Sequence, residues 1–223
     1  MSKNILIVGA SGLVGGEILK NLKTTNNDLI LLSRKKLLCE NSINQIVIDF
    51  ENIDSLDTSL KVDEIYIAIG HKLSLSELVY ITKNNRKSFV NVDYNYIKKV
   101  AEFAKNCGAS SIGLISAIGA NTKSLNTYLK VKGDVEQEIK LVGYKKIIIA
   151  HPSHLLGKRA GEDIPMTVKV FEQITNLFGL LMIGPLQKFR NVEAKKVAKA
   201  IISKMDSVEE GIHYIDYKYF KNF

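Results

Sequence analysis

Short runs of consecutive apolar residues recur along the chain and alternate with longer segments whose apolar residues are three or four apart. The short runs are rich in β-branched residues and span 5–8, 29–32, 46–48, 65–69, 112–115 and 147–150. Runs that are apolar on consecutive residues are typical of strands covered on both faces, as in a parallel sheet. These runs are therefore predicted to be strands.

The segments between the runs have helical periodicity, most clearly over 13–23, 89–105 and 125–142. Alternating strands and helices predict an α/β fold, a Rossmann-type doubly wound parallel sheet with helices on both faces. The alternation stops after Pro152, where helices near 166–177 and 192–205 precede a last strand at 211–215. We expect one domain over 1–223, in which residues 152–223 contribute a small substrate-side lobe.

Composition narrows the class of protein. The 223 residues are 46% hydrophobic and 24% charged, close to the average for a globular protein. Cys39 and Cys107 have no metal-ligand spacing around them, so no metal site is expected. No segment has the character of a signal peptide or approaches the ~20 apolar residues of a membrane span. We expect a soluble cytoplasmic protein with no membrane partner.

The net charge of +8 leaves the partner open. The lysines are scattered and interleaved with acidic residues, and no basic stripe with interspersed aromatics gives a strong nucleic-acid signal. A basic surface would attract anionic ligands, dinucleotides included, equally well. The expected partner is a small-molecule substrate, and the oligomeric state stays open.

A glycine-rich turn follows the first strand and opens the first helix. In such a turn Gly9 would make the tight bend, Gly12 would let the backbone approach a pyrophosphate, and Gly15 would allow close helix–strand packing. The helix N-terminus offers free N–H groups to phosphates. The sequence therefore predicts a dinucleotide site, with cofactor contacts from Gly9, Ser11, Gly12, Leu13 and Val14.

Charge at the end of the second strand favours one cofactor. NAD-selective sites usually carry a carboxylate there for the ribose 2′-hydroxyl, whereas this chain has Ser33, Arg34 and Lys35. A guanidinium grips a 2′-phosphate bidentately, so NADP(H) is preferred and NAD(H) remains possible. An ordinary solvated basic loop is the alternative. Asp49 and Phe50 are expected beside the adenine, although a capped turn explains Asp49 nearly as well.

Several further motifs follow in order along the chain. Ala68, Ile69 and Gly70 form the loop after the fourth strand, Ser116 ends the fifth strand, and Tyr128 and Lys132 form a YxxxK motif twelve residues later. Together with the glycine turn, they resemble the extended and atypical short-chain dehydrogenase/reductases, most closely the branch with the Tat-interacting oxidoreductase-like proteins. The resemblance covers residues 1 to about 160 well and the tail more loosely.

The resemblance implies roles for these residues. Ala68, Ile69 and Gly70 would form the cofactor floor, Asp49 the adenine-binding acid, and Ser116, Tyr128 and Lys132 the catalytic set. The segment 151–157 is similar to the family's RPGxLLG segment beside the nicotinamide, which implies cofactor contacts from Pro152 and His154. Two residues depart from that pattern, since His151 replaces the usual Arg and Ser153 the usual Gly.

The residue types suit carbonyl reduction. Hydride transfer to a carbonyl leaves negative charge on oxygen, which needs a proton donor held close. Tyr128 and Lys132 would share one helix face, and the ammonium is expected to lower the pKa of the phenol. Lys132 would also hold the nicotinamide ribose, and Ser116 the substrate oxygen. Asn91 is either the support of an active-site water or a helix cap, and the role of His71 stays open.

Two functions from different classes fit these features. The first is an NADP(H)-dependent oxidoreductase acting on a small carbonyl, alcohol or quinone-like substrate. The second is a non-catalytic NADP(H)-sensing regulatory protein, which the replacements at His151 and Ser153 keep open. A sugar-nucleotide epimerase is a weaker third reading, because the tail after Leu156 is short for a lobe that grips a nucleotide sugar.

Overall fold

The computed structural model describes residues 2–39, 43–157, 184–207 and 209–223. Its centre is a seven-stranded sheet in which all neighbouring strands are parallel. The strands in chain order are β1 (Asn4–Val8), β2 (Asp28–Ser33), β3 (Asn44–Val47), β4 (Glu64–Ile67), β5 (Ser111–Ile115), β6 (Lys146–Ala150), β7 (Leu155–Leu156), β8 (Val192–Glu193) and β9 (Gly211–Ile215). The sheet order is β3-β2-β1-β4-β5-β6-β9, and β7 pairs with β8 in a separate two-stranded sheet. The predicted α/β fold is confirmed.

The central strands are apolar on consecutive residues because both faces of the sheet are covered. In β1, Leu6 and Val8 belong to the hydrophobic cluster on one face. Ile5 and Ile7 belong to the cluster on the other. All four side chains are at most 1% exposed. This burial is the physical basis of the apolar runs from which the strands were predicted.

Helices cover both faces. They are α1 (Leu13–Leu22), α2 (Leu75–Val79), α3 (Lys83–Val90), α4 (Ile97–Asn106), α5 (Thr127–Leu141), α6 (Ala194–Asp206) and α7 (Tyr217–Phe220), with 3₁₀ turns at Phe50–Ser55 and Gly184–Phe189. Helices α1 and α6 bury their apolar residues in one cluster, and α4 and α5 bury theirs in the other. Among the described residues, no helix combines the length and hydropathy needed to cross a membrane.

A π-helical turn at Asn91–Tyr96 joins α3 to α4. The helix predicted over 89–105 therefore starts earlier than expected and contains an irregular turn. π-Helical turns are rare in proteins overall, and those that do occur are often found at functional sites. This one carries a buried acidic residue, Asp93, which is 2% exposed.

The described part of the tail is built into the main body. Strand β9 pairs with β6 as an edge strand of the large sheet, and α6 packs against α1. The predicted last strand at 211–215 is present, and the predicted helix over 192–205 is present as α6. The helix predicted over 166–177 lies outside the described residues, so the substrate-side lobe stays a prediction.

The strand order places a crevice beside β1. Strands β2 and β3 lie on one side of β1, and β4, β5, β6 and β9 lie on the other. In open α/β sheets ligands bind outside the carboxyl ends of the strands, where the strand order reverses. That position is next to the glycine turn that follows β1.

Candidate active site

A cavity of about 670 Å³ lies along the carboxyl ends of the strands. Its walls contain fourteen of the residues predicted to bind cofactor or substrate: Gly9, Ser11, Gly12, Leu13, Val14, Ser33, Arg34, Phe50, Ala68, Ile69, Gly70, Ser116, Tyr128 and Lys132. His71, Asp93, Tyr96 and Leu155 also line it. The volume is within the range of small-molecule and cofactor sites.

The glycine turn is shaped by close backbone packing. Gly9 has φ +94°, and a Cβ there would lie 2.6 Å from the carbonyl oxygen of Ala68. A Cβ on Gly15 would lie 2.1 Å from the carbonyl oxygen of Gly9. Helix α1 begins directly after Gly12, which has no side chain to cap it. The turn thus leaves backbone N–H groups facing a cavity, a donor set that fits a pyrophosphate.

The end of β2 contributes Ser33 and Arg34 to the cavity. The Ser33 hydroxyl donates to the carbonyl oxygen of Lys35 at 2.7 Å, which closes the backbone after the strand. Arg34 is exposed, so its guanidinium is accessible to a phosphate. Phe50 lines the same cavity and is itself buried. Its ring meets the Tyr96 ring edge-on, with the ring centroids 5.7 Å apart.

Four residues predicted to bind the cofactor do not line this cavity: Lys35, Asp49, Pro152 and His154. Lys35 is exposed. The Asp49 carboxylate accepts from the backbone N–H of Glu51 at 3.1 Å and caps the following 3₁₀ turn. The capped-turn alternative therefore describes Asp49. The carbonyls of Pro152 and His154 accept from Ile118 and Val192 and tie the loop after β6 to its neighbours.

Ser116, at the end of β5, and Tyr128 and Lys132, on α5, line the same cavity. Ser116 is 5% exposed at the end of β5, and Tyr128 and Lys132 are one turn apart on α5. The first turn of α5 is capped by Asn126, whose side chain accepts from the Leu129 N–H at 3.0 Å. Asn126 also donates to the Leu78 carbonyl at 2.8 Å, which fixes the start of the helix against α2.

A buried ion pair holds the lysine of this set. Lys132 Nζ lies 2.8 Å from Asp93 Oδ1, and both side chains are at most 6% exposed. Asp93 Oδ2 accepts from the backbone N–H of His71 at 2.6 Å, which links the π-helical turn to the loop after β4. Burial acts to lower the pKa of Lys132, but Asp93 and Tyr128 more than offset it, so the net shift is upward and the ammonium is retained.

The expected lowering of the Tyr128 pKa is wrong. Burial raises the pKa of this phenol, the Lys132 ammonium acts to lower it, and the Asp93 carboxylate acts to raise it. The net shift is upward. The prediction considered Lys132 alone, whereas in the structure Asp93 compensates its charge and Phe89 and Val131 shield the tyrosine from water.

Asn91, considered as a support for an active-site water, does not line the cavity. Its side-chain oxygen accepts from Asn95 at 2.8 Å. The polar residue that this segment brings to the site is Asp93, two positions later. Asp93 was not among the residues predicted from the sequence to belong to the site.

Glu136 is a second site residue that sequence reasoning missed. It is 5% exposed, and its Oε1 accepts a short hydrogen bond from the Ser116 hydroxyl. The same oxygen lies 2.9 Å from His151 Nε2. A signal was available, since Tyr128, Lys132 and Glu136 are spaced four apart and therefore share one face of α5.

Comparisons with known proteins place the chain in a family. Rat protein HTATIP2 is 33% identical over 165 residues, which are 71% of this chain and 65% of that protein. Protein FMP52, mitochondrial, from Lodderomyces elongisporus is 32% identical over 176 residues, which are 71% of this chain and 69% of that protein. This chain thus spans about two thirds of the length of these relatives. No family model matches the chain.

A solved structure supports the fold. MoeE5 in complex with UDP-glucose and NAD matches with a TM-score of 0.69 over 97% of this chain and 79% of that chain, at 11% identity. At that identity the likeness is one of fold, and the ligands belong to MoeE5. The two sequence relatives show that the chain belongs to the atypical short-chain dehydrogenase/reductases, in the NAD(P)-binding family that includes proteins HTATIP2 and FMP52.

Proposed function

We propose that this protein is an NADP(H)-dependent oxidoreductase that acts on a small carbonyl, alcohol or quinone-like substrate. One observation carries the proposal. A single cavity brings together the glycine turn after β1 and the side chains of Ser116, Tyr128 and Lys132. A nucleotide site alone does not need a partly buried tyrosine beside a buried ammonium.

The cofactor would lie along the carboxyl edge of the sheet. Gly9, Gly12 and the first turn of α1 would hold its pyrophosphate, and Arg34 would meet a 2′-phosphate at the end of β2. The absence of a carboxylate among Ser33, Arg34 and Lys35 supports NADP(H) over NAD(H). When bound, the nicotinamide supplies or accepts the hydride.

The protein residues would manage the proton. Because the pKa of Tyr128 is raised, the phenol stays protonated at neutral pH and can donate to a substrate oxygen that gains charge. Lys132 would supply a fixed positive charge beside that oxygen and the nicotinamide ribose. Asp93 holds the ammonium in place through the 2.8 Å ion pair. This arrangement favours the direction of carbonyl reduction.

A non-catalytic NADP(H) sensor is the second candidate, and two contacts favour it. Lys132 is already paired with Asp93, and the Ser116 hydroxyl is directed to Glu136. Polar groups satisfied within the protein do not depend on a substrate. A sensor would bind the cofactor with the same glycine turn and the same Arg34, and would transfer no hydride.

Two measurements separate the candidates. Titration of the purified protein with NADPH and with NADH, followed by fluorescence, should show tighter binding of NADPH. NADPH oxidation should then occur with at least one member of a panel of carbonyls and quinones, and should fall about 10²- to 10⁴-fold in Tyr128→Phe. Tight binding without turnover on any acceptor favours the sensor, and equal affinity for NADH removes the argument from Arg34.

We propose the cytoplasm as the location. The relative FMP52 is named as mitochondrial, so the mitochondrion is the alternative for this chain. Fractionation of cells that express the tagged protein distinguishes the two compartments.

A further inference from the structure

A second cavity, of about 390 Å³, is lined by Asn121, Glu136, Lys140, His151 and Tyr214, together with Ala120, Thr122, Gly133 and Gln137. Glu136 lines this second cavity and also accepts from Ser116, which lines the first. The first cavity, which the glycine turn lines, and the second cavity are separate spaces, but side-chain contacts connect them.

The connecting atoms form a short chain. Ser116 Oγ donates to Glu136 Oε1, and the same Oε1 lies 2.9 Å from His151 Nε2. The side chain of Glu136 is 6% exposed and that of His151 is 19% exposed. The chain thus runs from a buried hydroxyl, through a buried carboxylate, to an imidazole that contacts solvent.

His151, at the end of this chain of contacts that reaches solvent, is positioned by contacts with β9. Its backbone N–H donates to the Ile215 carbonyl at 2.8 Å, and its ring lies 5.3 Å from the Tyr214 ring. The charged groups around it are Glu136 and Lys140, the latter with its Nζ 5.5 Å from the centre of the Tyr214 ring. An arginine, which the family resemblance implies at this position, does not release a proton in a protein, whereas an imidazole does.

Carbonyl reduction takes up one proton from solvent for each hydride transferred. Lys132 is a poor entry point for that proton, because its side chain is only 6% exposed and its ammonium is paired with Asp93. We propose that His151 and Glu136 deliver this proton from the second cavity to Ser116, an inference that rests on the proposed oxidoreductase function. Both are relay residues, because neither is placed against the substrate.

Each proton that moves in the relay has a donor and an acceptor. The His151 imidazolium gives its Nε2 proton to Glu136 Oε1, and Glu136 passes a proton to Ser116 Oγ. The Ser116 hydroxyl proton passes, through the substrate oxygen, to the phenolate that Tyr128 leaves after protonating that oxygen. Solvent in the second cavity then restores the imidazolium. Per turnover one hydride leaves NADPH, one C–H bond and one O–H bond form, and one solvent proton is consumed.

The test compares His151→Gln and Glu136→Gln with wild type in NADPH oxidation, using 9,10-phenanthrenequinone as the acceptor. Glutamine keeps hydrogen bonding but cannot relay a proton. We expect kcat to fall about tenfold or more, with the Kd for NADPH unchanged and a larger solvent deuterium isotope effect on kcat. His213→Gln, on the neighbouring strand β9, should match wild type. Added imidazole should restore the rate of His151→Ala.

A second readout does not depend on activity. Diethyl pyrocarbonate should modify His151 at the same rate with and without saturating NADPH, as followed by mass spectrometry of the His151 peptide. Protection by NADPH would overturn the relay, because His151 would then be reached from the first cavity. Turnover of His151→Gln within twofold of wild type would overturn the relay alone. Failure of wild type to oxidise NADPH with any acceptor would overturn the proposed function and the relay together.

Discussion

In the proposed function, Arg34 is the residue on which the preference for NADP(H) rests. It is exposed at the end of β2 and lines the cavity. We expect Arg34→Ala to weaken NADPH binding about ten- to hundredfold, because charge-assisted bidentate contacts to the 2′-phosphate are lost. NADH binding should change little. Lys36→Ala, an equally exposed cation two residues later, is the control, and fluorescence titration measures both. Equal losses for NADPH and NADH in Arg34→Ala would contradict the assignment.

In the proposed reaction, Tyr128 is expected to set the alkaline limit of the pH dependence. Burial raises the pKa of the phenol, so the protonated donor persists to higher pH than it would in water. In His151→Gln, which lacks the imidazole of the proposed relay, carbonyl reduction should therefore stay constant through neutral pH and decline only on the alkaline side, above the ordinary range of a tyrosine. The measurement is kcat against pH at saturating NADPH. A decline near pH 7 would show that another group donates the proton.

Asp93 acts on the same titration. Its carboxylate acts to raise the pKa of Tyr128 and is paired with Lys132. Asp93→Asn removes that negative charge and leaves the Lys132 ammonium without its carboxylate partner. The charged form of Tyr128 is then less unfavourable, so the pKa of Tyr128 falls. The alkaline decline of kcat should then move to lower pH. Asp134→Asn, which removes a carboxylate paired with Lys130 on the same helix, should leave the profile unchanged. No movement in Asp93→Asn would contradict the role of Asp93.

The residues of the site were only partly predictable from the sequence. Ser116, Tyr128 and Lys132 stand at recognisable positions relative to a strand end and a helix, and the fold brings them to one cavity. Asp93 was not predicted because its partner, Lys132, lies on another element. The spacing of Glu136 on α5 shows that it shares a face with Lys132, but it does not show the contact with Ser116, which lies on another element. Burial of a charge beside its partner depends on tertiary packing, which local spacing does not encode.

At the scale of elements, the strands were the most predictable features. Their consecutive apolar residues are a direct consequence of cover on both faces, as β1 shows. Helix α3 was missed because its sequence, Lys83–Val90, is polar at nearly every position and buries only Phe89. The π-helical turn at Asn91–Tyr96 and the two-residue strands β7 and β8 carry no periodic signal of their own.

The packing of α1 against β1 gives a test at this scale. A Cβ at Gly15 would lie 2.1 Å from the Gly9 carbonyl oxygen, so Gly15→Ala must displace the helix from the turn. We expect a loss of about 1–3 kcal/mol in the free energy of unfolding and weaker NADPH binding. Gly16→Ala, whose Cβ would lie 3.3 Å from the Ala10 carbonyl oxygen, should cost less. Thermal melting with and without NADPH measures both, and equal stability of the two variants would contradict this packing.

At the scale of the whole molecule, one edge of the sheet carries the glycine turn, Ser116 and His151. The glycine turn follows β1, Ser116 follows β5, and His151 follows β6. Neighbouring parallel strands bring their carboxyl ends to the same edge, so the fold accounts for this convergence without further assumptions.

The most direct measurement is the transfer of deuterium from NADPH that carries two deuterium atoms at C4 of the nicotinamide into the alcohol formed from a ketone or aldehyde, analysed by mass spectrometry. We predict one deuterium in each product molecule, with a primary isotope effect on wild-type turnover and about 10²- to 10⁴-fold less labelled product with Tyr128→Phe. Saturable NADPH binding with no deuterium in the alcohol product of any ketone or aldehyde, and no NADPH oxidation with any quinone, would contradict the account and leave cofactor sensing in its place.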